Sequence, residues 1–187
     1  MPTDSAGTAP QSSLARLWMI PLAILIHNIE EYPRIVAFAQ RHGIPIRRRP
    51  VGIAVALATV LPFPLVYAAI RHPHNRRYSQ AALALSALMA ANGGTHLAQT
   101  VLLRDYSPGT ITGLGLNLPL ALWLYRTTAR EQALMAHELR QAALLGPGMM
   151  GPAALLLQLV GWGIDRLLPR LARTERQQRP LPLLPYD

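Results

Sequence analysis

The sequence predicts an all-α protein: a polytopic transmembrane bundle of about five spanning helices joined by short loops. Three observations carry this. Of 187 residues, 51% are apolar and only 14% are charged, where a soluble domain carries roughly 25%. The deficit is concentrated, because Val51–Ile70 and Ala81–Leu103 contain no charge at all. Each is long enough to cross a hydrocarbon core about 30 Å thick. The charges instead gather in the connections, where the formal charge of +9 comes entirely from arginine.

Residues 1–13 are polar and rich in Ser, Thr and Pro, and read as a disordered tail. A single transmembrane domain follows over 14–168. Its first helix covers about 17–36 and extends towards Arg41, with a kink at Pro33. Lacking a basic n-region and carrying ionisable residues, it reads as a retained span, not a signal peptide. The second helix is Val51–Ile70, where Pro62 and Pro64 interrupt the hydrogen-bond ladder. The third is Ala81–Leu103 and the fourth runs from about Gly109 to Tyr125. A polar helical stretch, Thr127–Gln141, lies at the surface before a fifth helix from about Ala142 to Ile164. Gly146, Pro147, Gly148, Gly151 and Pro152 near its start could make that segment re-entrant. The remainder, 169–187, is a basic and then Pro/Leu-rich tail, expected to be extended. Trp18, Tyr67, Trp123, Tyr125 and Trp162 fall near span ends as interfacial anchors. The arginine distribution leans towards a cytoplasmic C-terminus.

Composition also excludes functions. With no cysteine there are no disulfides, thiolate metal sites or cysteine nucleophile. With no lysine there is no Schiff-base or phosphate-loop lysine. The basic excess fits anionic headgroups, and no zinc-finger or other patterned motif points to nucleic acid.

The informative residues are the polar ones inside apolar helices. An ionisable side chain in the bilayer centre costs at least about 2.5–3.5 kcal/mol and marks a candidate site. The first helix carries His27, Asn28, Glu30 and Glu31, with His27 and Glu31 one turn apart on the same face. The third carries Asn92, His96 and Gln99 as a polar stripe beside Gly93 and Gly94. At a rise of about 1.5 Å per residue, His27 and Asn92 lie roughly 15 Å deep, with Glu31 and His96 roughly 22 Å deep. Thr59, Asn117 and Gln158 fall near the same layer. Simpler readings stand beside these. Glu30 could pair with Arg34 at a helix end, and Asn92 and Gln99 could serve only as interhelical glue. Tyr106-Ser107-Pro108-Gly109 reads as a tight turn. His72 and His74 read as solvated, and His137-Glu138 lacks the second histidine of a zinc helix.

In order and spacing, His27-x-x-Glu30-Glu31, Asn92-x-x-x-His96 and Tyr106-x-Pro108-Gly109 match three motifs. Through them the chain resembles the HXXEE family of small bacterial membrane proteins, over about residues 17–125. The resemblance implies an architecture and a site but no reaction, because the family has no established activity.

The cluster suggests an intramembrane enzyme acting on an apolar, lipid-like or isoprenoid substrate, with His27, Glu30, Glu31, Asn92 and His96 as catalytic candidates. Two chemistries serve it. His27, His96 and a carboxylate from Glu30 or Glu31, with Glu31 the named candidate, could bind a divalent metal such as Zn or Fe. Alternatively a desolvated carboxylic acid could protonate or isomerise the substrate with a histidine as partner. Tyr106 and Asn117 are candidates for the substrate mouth. The alternatives are a proton or metal-ion transporter, or an accessory protein with a purely structural cluster. The expected partners are the lipid bilayer and an apolar small molecule, in the bacterial cytoplasmic membrane.

Overall fold

The computed structural model describes residues 14–178, with side chains described to residue 168. Leu17, Ile20 and Ile24 recur at helical spacing and are buried together. They sit on a 3₁₀ turn, Ala15–Trp18, and the helix it leads into, α1 (Met19–Arg41). Pro33 lies within α1, where its missing N–H frees the Ile29 carbonyl. Then come α2 (Arg48–Val60) and α3 (Pro62–Arg71), joined at Leu61 without leaving helical dihedrals. Pro62 opens α3 at a position where no N–H is needed. α4 (Arg76–Leu103) starts on an Asn75 cap and ends at Arg104 in the left-handed conformation, φ 49°.

The fourth rod is composite. A single turn, α5 (Thr110–Thr112), leads into a π-helical turn, Gly113–Asn117, and then α6 (Leu118–Arg130). Pro119 cannot donate to Gly115, and the wider π turn absorbs that missing bond. α7 (Ala136–Gln178) completes five helical rods, and no strand occurs among the described residues. Among the described residues two helices are long and apolar enough to cross a membrane: Arg48–Arg71, which combines α2 and α3, and Ala136–Leu168 within α7.

α4 occupies the centre, packing against α7, α3, α6, the π turn and α1. Ile20, Ile24, Val66, Ala69, Ala82, Leu83, Leu124 and Ala142 form the apolar core at one end of the bundle. Further along α1 and α4 the packing turns polar. There Gly93 meets Gly113 backbone to backbone, and a Cβ on Gly93 would lie 2.6 Å from the Gly113 carbonyl carbon. Only a pair of glycines lets the π turn come that close to α4.

Three boundary expectations are corrected. The stretch 127–141 is no continuous surface helix: α6 runs on to Arg130 and the chain turns through Gln132 at φ 52°. The Gly/Pro cluster at 146–152 does not interrupt α7, which stays helical across it where a break was expected. Gly146 instead seats α7 against the Ala84 carbonyl and the Leu88 backbone. Helix also continues through 169–178, where an extended tail was expected. The disorder expected for 1–13 and the extended form of Pro180–Pro185 fall outside the described residues. Of the aromatic anchors, Tyr67, Trp123 and Trp162 are exposed. Tyr125 turns inward and donates to the Leu83 carbonyl at 3.3 Å.

Candidate functional site

α1 and α4 run in the same direction, each passing from the apolar core into a polar layer, and this brings their polar stripes face to face. His27 is fully buried and His96 is 4% exposed. Their rings lie 5.4 Å apart, centroid to centroid, tilted by 51°. Glu31 reaches both: its carboxylate is 3.4 Å from His27 Nε2 and 3.7 Å from His96 Nε2. Asn92 lies between the rings, with Nδ2 3.1 Å from His27 Nε2 and 3.2 Å from His96 Nε2. One ligand atom from each of His27, Glu31 and His96 falls within a sphere where all separations are under 4.8 Å. The helical spacing that placed His27 and Glu31 on one face, and the depth match with Asn92 and His96, are both realised.

The opposite nitrogen of each histidine is held by a hydroxyl from the segment that follows α4. His27 Nδ1 lies 2.8 Å from Thr112 Oγ1, and His96 Nδ1 lies 2.9 Å from Ser107 Oγ. Thr112 in turn donates to Glu30 Oε2 at 2.6 Å, and Ser107 donates to Gln99 Oε1 at 2.7 Å. Each hydroxyl proton is therefore already committed, so each hydroxyl accepts from the imidazole. Both histidines then carry their proton on Nδ1 and turn an Nε2 lone pair towards Glu31 and Asn92. The Asn92 amide agrees independently, since its two N–H bonds require acceptors on both Nε2 atoms.

Glu30 has a different task from its neighbour. It accepts from the Tyr106 hydroxyl, from Thr112 Oγ1, and from the backbone N–H groups of Gly109 (3.1 Å), Ile111 (3.4 Å) and Thr112 (2.8 Å). A carboxylate surrounded by donors is an acceptor only, which removes Glu30 as a proton donor. It pins the 106–112 segment to α1. Arg34 is exposed and makes no ion pair with it, so the simpler Glu30–Arg34 reading does not hold. Tyr106 correspondingly closes the loop onto Glu30 and is not among the residues lining the cavity.

Gly109 explains the last position of the turn. Its φ of 98° is costly for any side chain, and a Cβ there would lie 2.7 Å from His27 Cε1 and 2.9 Å from His96 Nε2. The turn packs its bare backbone directly on the histidine pair. At its start, Asp105 is bound by Arg41 Nη2 at 2.8 Å and His42 Nε2 at 3.0 Å. The hydrogen bond from Arg41, then that from His42, holds its carboxyl below the usual range.

His27, Glu31 and Asn92 form part of the wall of a cavity of about 450 Å³ between α1, α2, α3, α4 and α7. This falls in the usual range for small-molecule sites, about 300–1,000 Å³. The rest of the wall is mostly apolar, including Ile24, Ala54, Leu88, Met89 and Leu157. Asn28 and Gln158 are its other amides, and Asn28 is steadied by donation to Thr59 Oγ1 at 2.7 Å. Thr59 and Gln158 thus do belong to the polar layer. Asn117 does not join it: it is 3% exposed on the π turn, and its amide nitrogen has no partner among the described residues.

The hydroxyls of Ser107 and Thr112 were not singled out by sequence, and neither was Gly109 as a contact of the histidines. Comparison with curated proteins and with solved structures yields no significant match. A family model described as "Protein of unknown function with HXXEE motif" matches residues 18–124, from the turn before α1 into α6. That span takes in both histidines, both glutamates and the turn that orients them, and the chain belongs to the HXXEE family.

Proposed function

We propose that this protein is an intramembrane enzyme that performs acid–base chemistry on the polar end of a lipid-like or isoprenoid substrate. The observation that carries the reading is the placement of Glu31, His27 and Asn92 on the wall of an otherwise apolar 450 Å³ cavity. The apolar chain of the substrate occupies the cavity, and its reactive group meets Glu31, the carboxylate that Glu30's hydrogen bonds leave free for chemistry.

The multi-pass arrangement is part of the proposal, and the ion pairs support it. They fall in two layers. Arg16–Glu131 and Arg76–Glu138 tie one end of the bundle, and Arg41–Asp105 and Arg49–Asp165 tie the other. Along α1, α4 and α7 the layers are roughly 40 Å apart at about 1.5 Å per residue, close to a bilayer with its headgroups. Midway between the layers the charged residues are Glu30, Glu31 and Arg34, while Arg71, Arg77, Arg104, Arg126, Arg130 and Arg140 fall within five residues of one layer or the other. Apolar side chains face outward along this belt, among them Ile29, Leu102, Ile111 and Leu155, each more than 60% exposed. Five spans in the bacterial cytoplasmic membrane, C-terminus inside, follow from this reading.

Transport is the weaker reading because the polar layer fills only part of the bundle. An ion leaving it towards the other face would have to cross Ile20, Leu83, Val66 and Leu124, all under 2% exposed.

The test is lipid occupancy. The wild-type protein, purified in detergent and extracted for mass spectrometry, is expected to retain a discrete amphiphile. Ala58→Phe and Ala153→Phe, which fill the cavity, are expected to lose it while the protein stays monodisperse. If wild type and filled variants carry the same bulk lipid, the cavity is no substrate site.

A further inference from the structure

We infer that His27 Nε2, His96 Nε2 and one Glu31 carboxylate oxygen form a binding site for a single divalent transition-metal ion, Zn²⁺ or Fe²⁺. The inference deepens the enzyme reading by naming what activates its acid–base group, and it rests on geometry that stands without the cavity.

The first support is convergence. The three ligand atoms lie within 4.8 Å of one another on two helices that α4's packing holds in place. Zn–N and Zn–O bonds of about 2.0–2.2 Å keep tetrahedral ligands roughly 3.3–3.5 Å apart, so small side-chain rotations close the set. Two imidazoles and a carboxylate on one side of an ion leave positions open for water and substrate, the pattern of catalytic Zn and non-haem Fe sites.

The second support is the tautomer. A metal takes the lone pair of a neutral imidazole, and ligating histidines give their other N–H to an oriented acceptor. Here both do so. Glu30 fixes Thr112, which fixes His27; Gln99 fixes Ser107, which fixes His96. Two independent chains impose the same tautomer on two histidines from different helices. A cluster built only to glue helices together has no need for both Nε2 lone pairs to meet at one carboxylate.

The third is Asn92. Its amide gives both N–H bonds to the atoms that would bind the ion. With both Nε2 atoms engaged by an ion, that amide would be free to turn into the cavity, whose wall Asn92 already lines. The ion would supply a water acidic enough to act near neutral pH, while Glu31 and Asn92 hold that water's position.

The test uses the full chain in detergent, prepared without a histidine tag and without chelator. Elemental analysis is expected to give one transition-metal ion per chain. Protein stripped with EDTA is expected to take up one equivalent of Zn²⁺ saturably, and one of Co²⁺ with the visible absorption of a low-coordinate site. His27→Ala, His96→Ala and Glu31→Gln are expected to abolish both signals. Thr112→Val and Ser107→Ala are expected to weaken Zn²⁺ binding about 10–100-fold, and Thr112→Ser to restore it. Variants are scored only if monodisperse, and the hydroxyl variants keep the test decisive where a histidine variant fails to fold. Wild-type protein that is monodisperse yet binds neither Zn²⁺ nor Co²⁺ saturably overturns the inference. So does undiminished binding in the His27→Ala/His96→Ala double variant. A retained amphiphile without metal would leave the enzyme reading standing on Glu31 as a bare acid, so the two failures are distinguishable.

Discussion

Gly109 is constrained twice over, because its backbone is left-handed and its missing side chain is the space the two imidazoles occupy. Gly109→Ala is therefore expected to destabilise the protein by more than about 1 kcal/mol, read as a lower Tm. Asn117 is the opposite case. Its buried amide nitrogen has no partner among the described residues and so costs about 1–3 kcal/mol. Asn117→Leu should leave Tm unchanged or raised and leave Zn²⁺ uptake intact; loss of uptake would return Asn117 to the site. At this scale the sequence revealed the residues whose presence in an apolar helix is expensive, which is why His27, Glu31, Asn92 and His96 stood out. Thr112 and Ser107 gave no such signal. A hydroxyl in an apolar helix is cheap because it can bond its own backbone, as Thr59, Thr95 and Thr100 do here to carbonyls four residues back. Spacing likewise could not separate Glu30 from Glu31. Adjacent helical residues point about 100° apart, and only the position of the 106–112 turn decides which carboxylate it consumes.

Among the elements, the 3₁₀ turn at the start of the chain is fastened to α6 by one bidentate pair, Arg16 to Glu131 at 2.5 and 2.7 Å. The hydrogen bond from Arg16 lowers the Glu131 carboxyl below its usual range. A carboxyl whose folded value is depressed adds stability that is complete above the ordinary carboxylate range and fades as pH falls through the lower folded value. Because Glu131 is about a third exposed, the pair is worth no more than about 1 kcal/mol. Glu131→Gln should lower Tm slightly at pH 7, and the difference from wild type should shrink as pH falls below the ordinary carboxylate range. Helix number and order were legible because uncharged stretches and Pro or arginine-rich connections alternate. The ends were not. The Gly/Pro cluster of α7 reads as a break, yet the helix runs through it and Gly146 lets α7 sit close to α4. The π turn before Pro119 left no trace in hydropathy, since it changes the register of the backbone and not the character of its side chains.

For the whole molecule, the two layers of ion pairs make topology directly testable because the chain has no native cysteine. His74→Cys lies in the α3–α4 connection and Ile44→Cys in the α1–α2 connection, both exposed. In the proposed orientation a membrane-impermeant maleimide should label His74→Cys in intact spheroplasts, and Ile44→Cys only after permeabilisation. Labelling of both in intact spheroplasts would contradict a crossing between them.

The arrangement of α7 has a consequence for how such a protein could diversify. The family match ends at residue 124, so the histidines, the glutamates and their orienting turn all precede α7. Yet Met150, Ala153, Ala154, Leu157 and Gln158 of α7 supply one whole side of the cavity. The reactive groups thus lie within the matched stretch, while one side of the fitting surface lies outside it. A change in the girth or polarity of α7 would alter the shape of guest that is admitted without disturbing a single member of the His–Glu group. Under the proposed function, exchanging that one rod, as a tailor recuts a sleeve while keeping the seam, is a route by which a common His–Glu group could be fitted to different lipids.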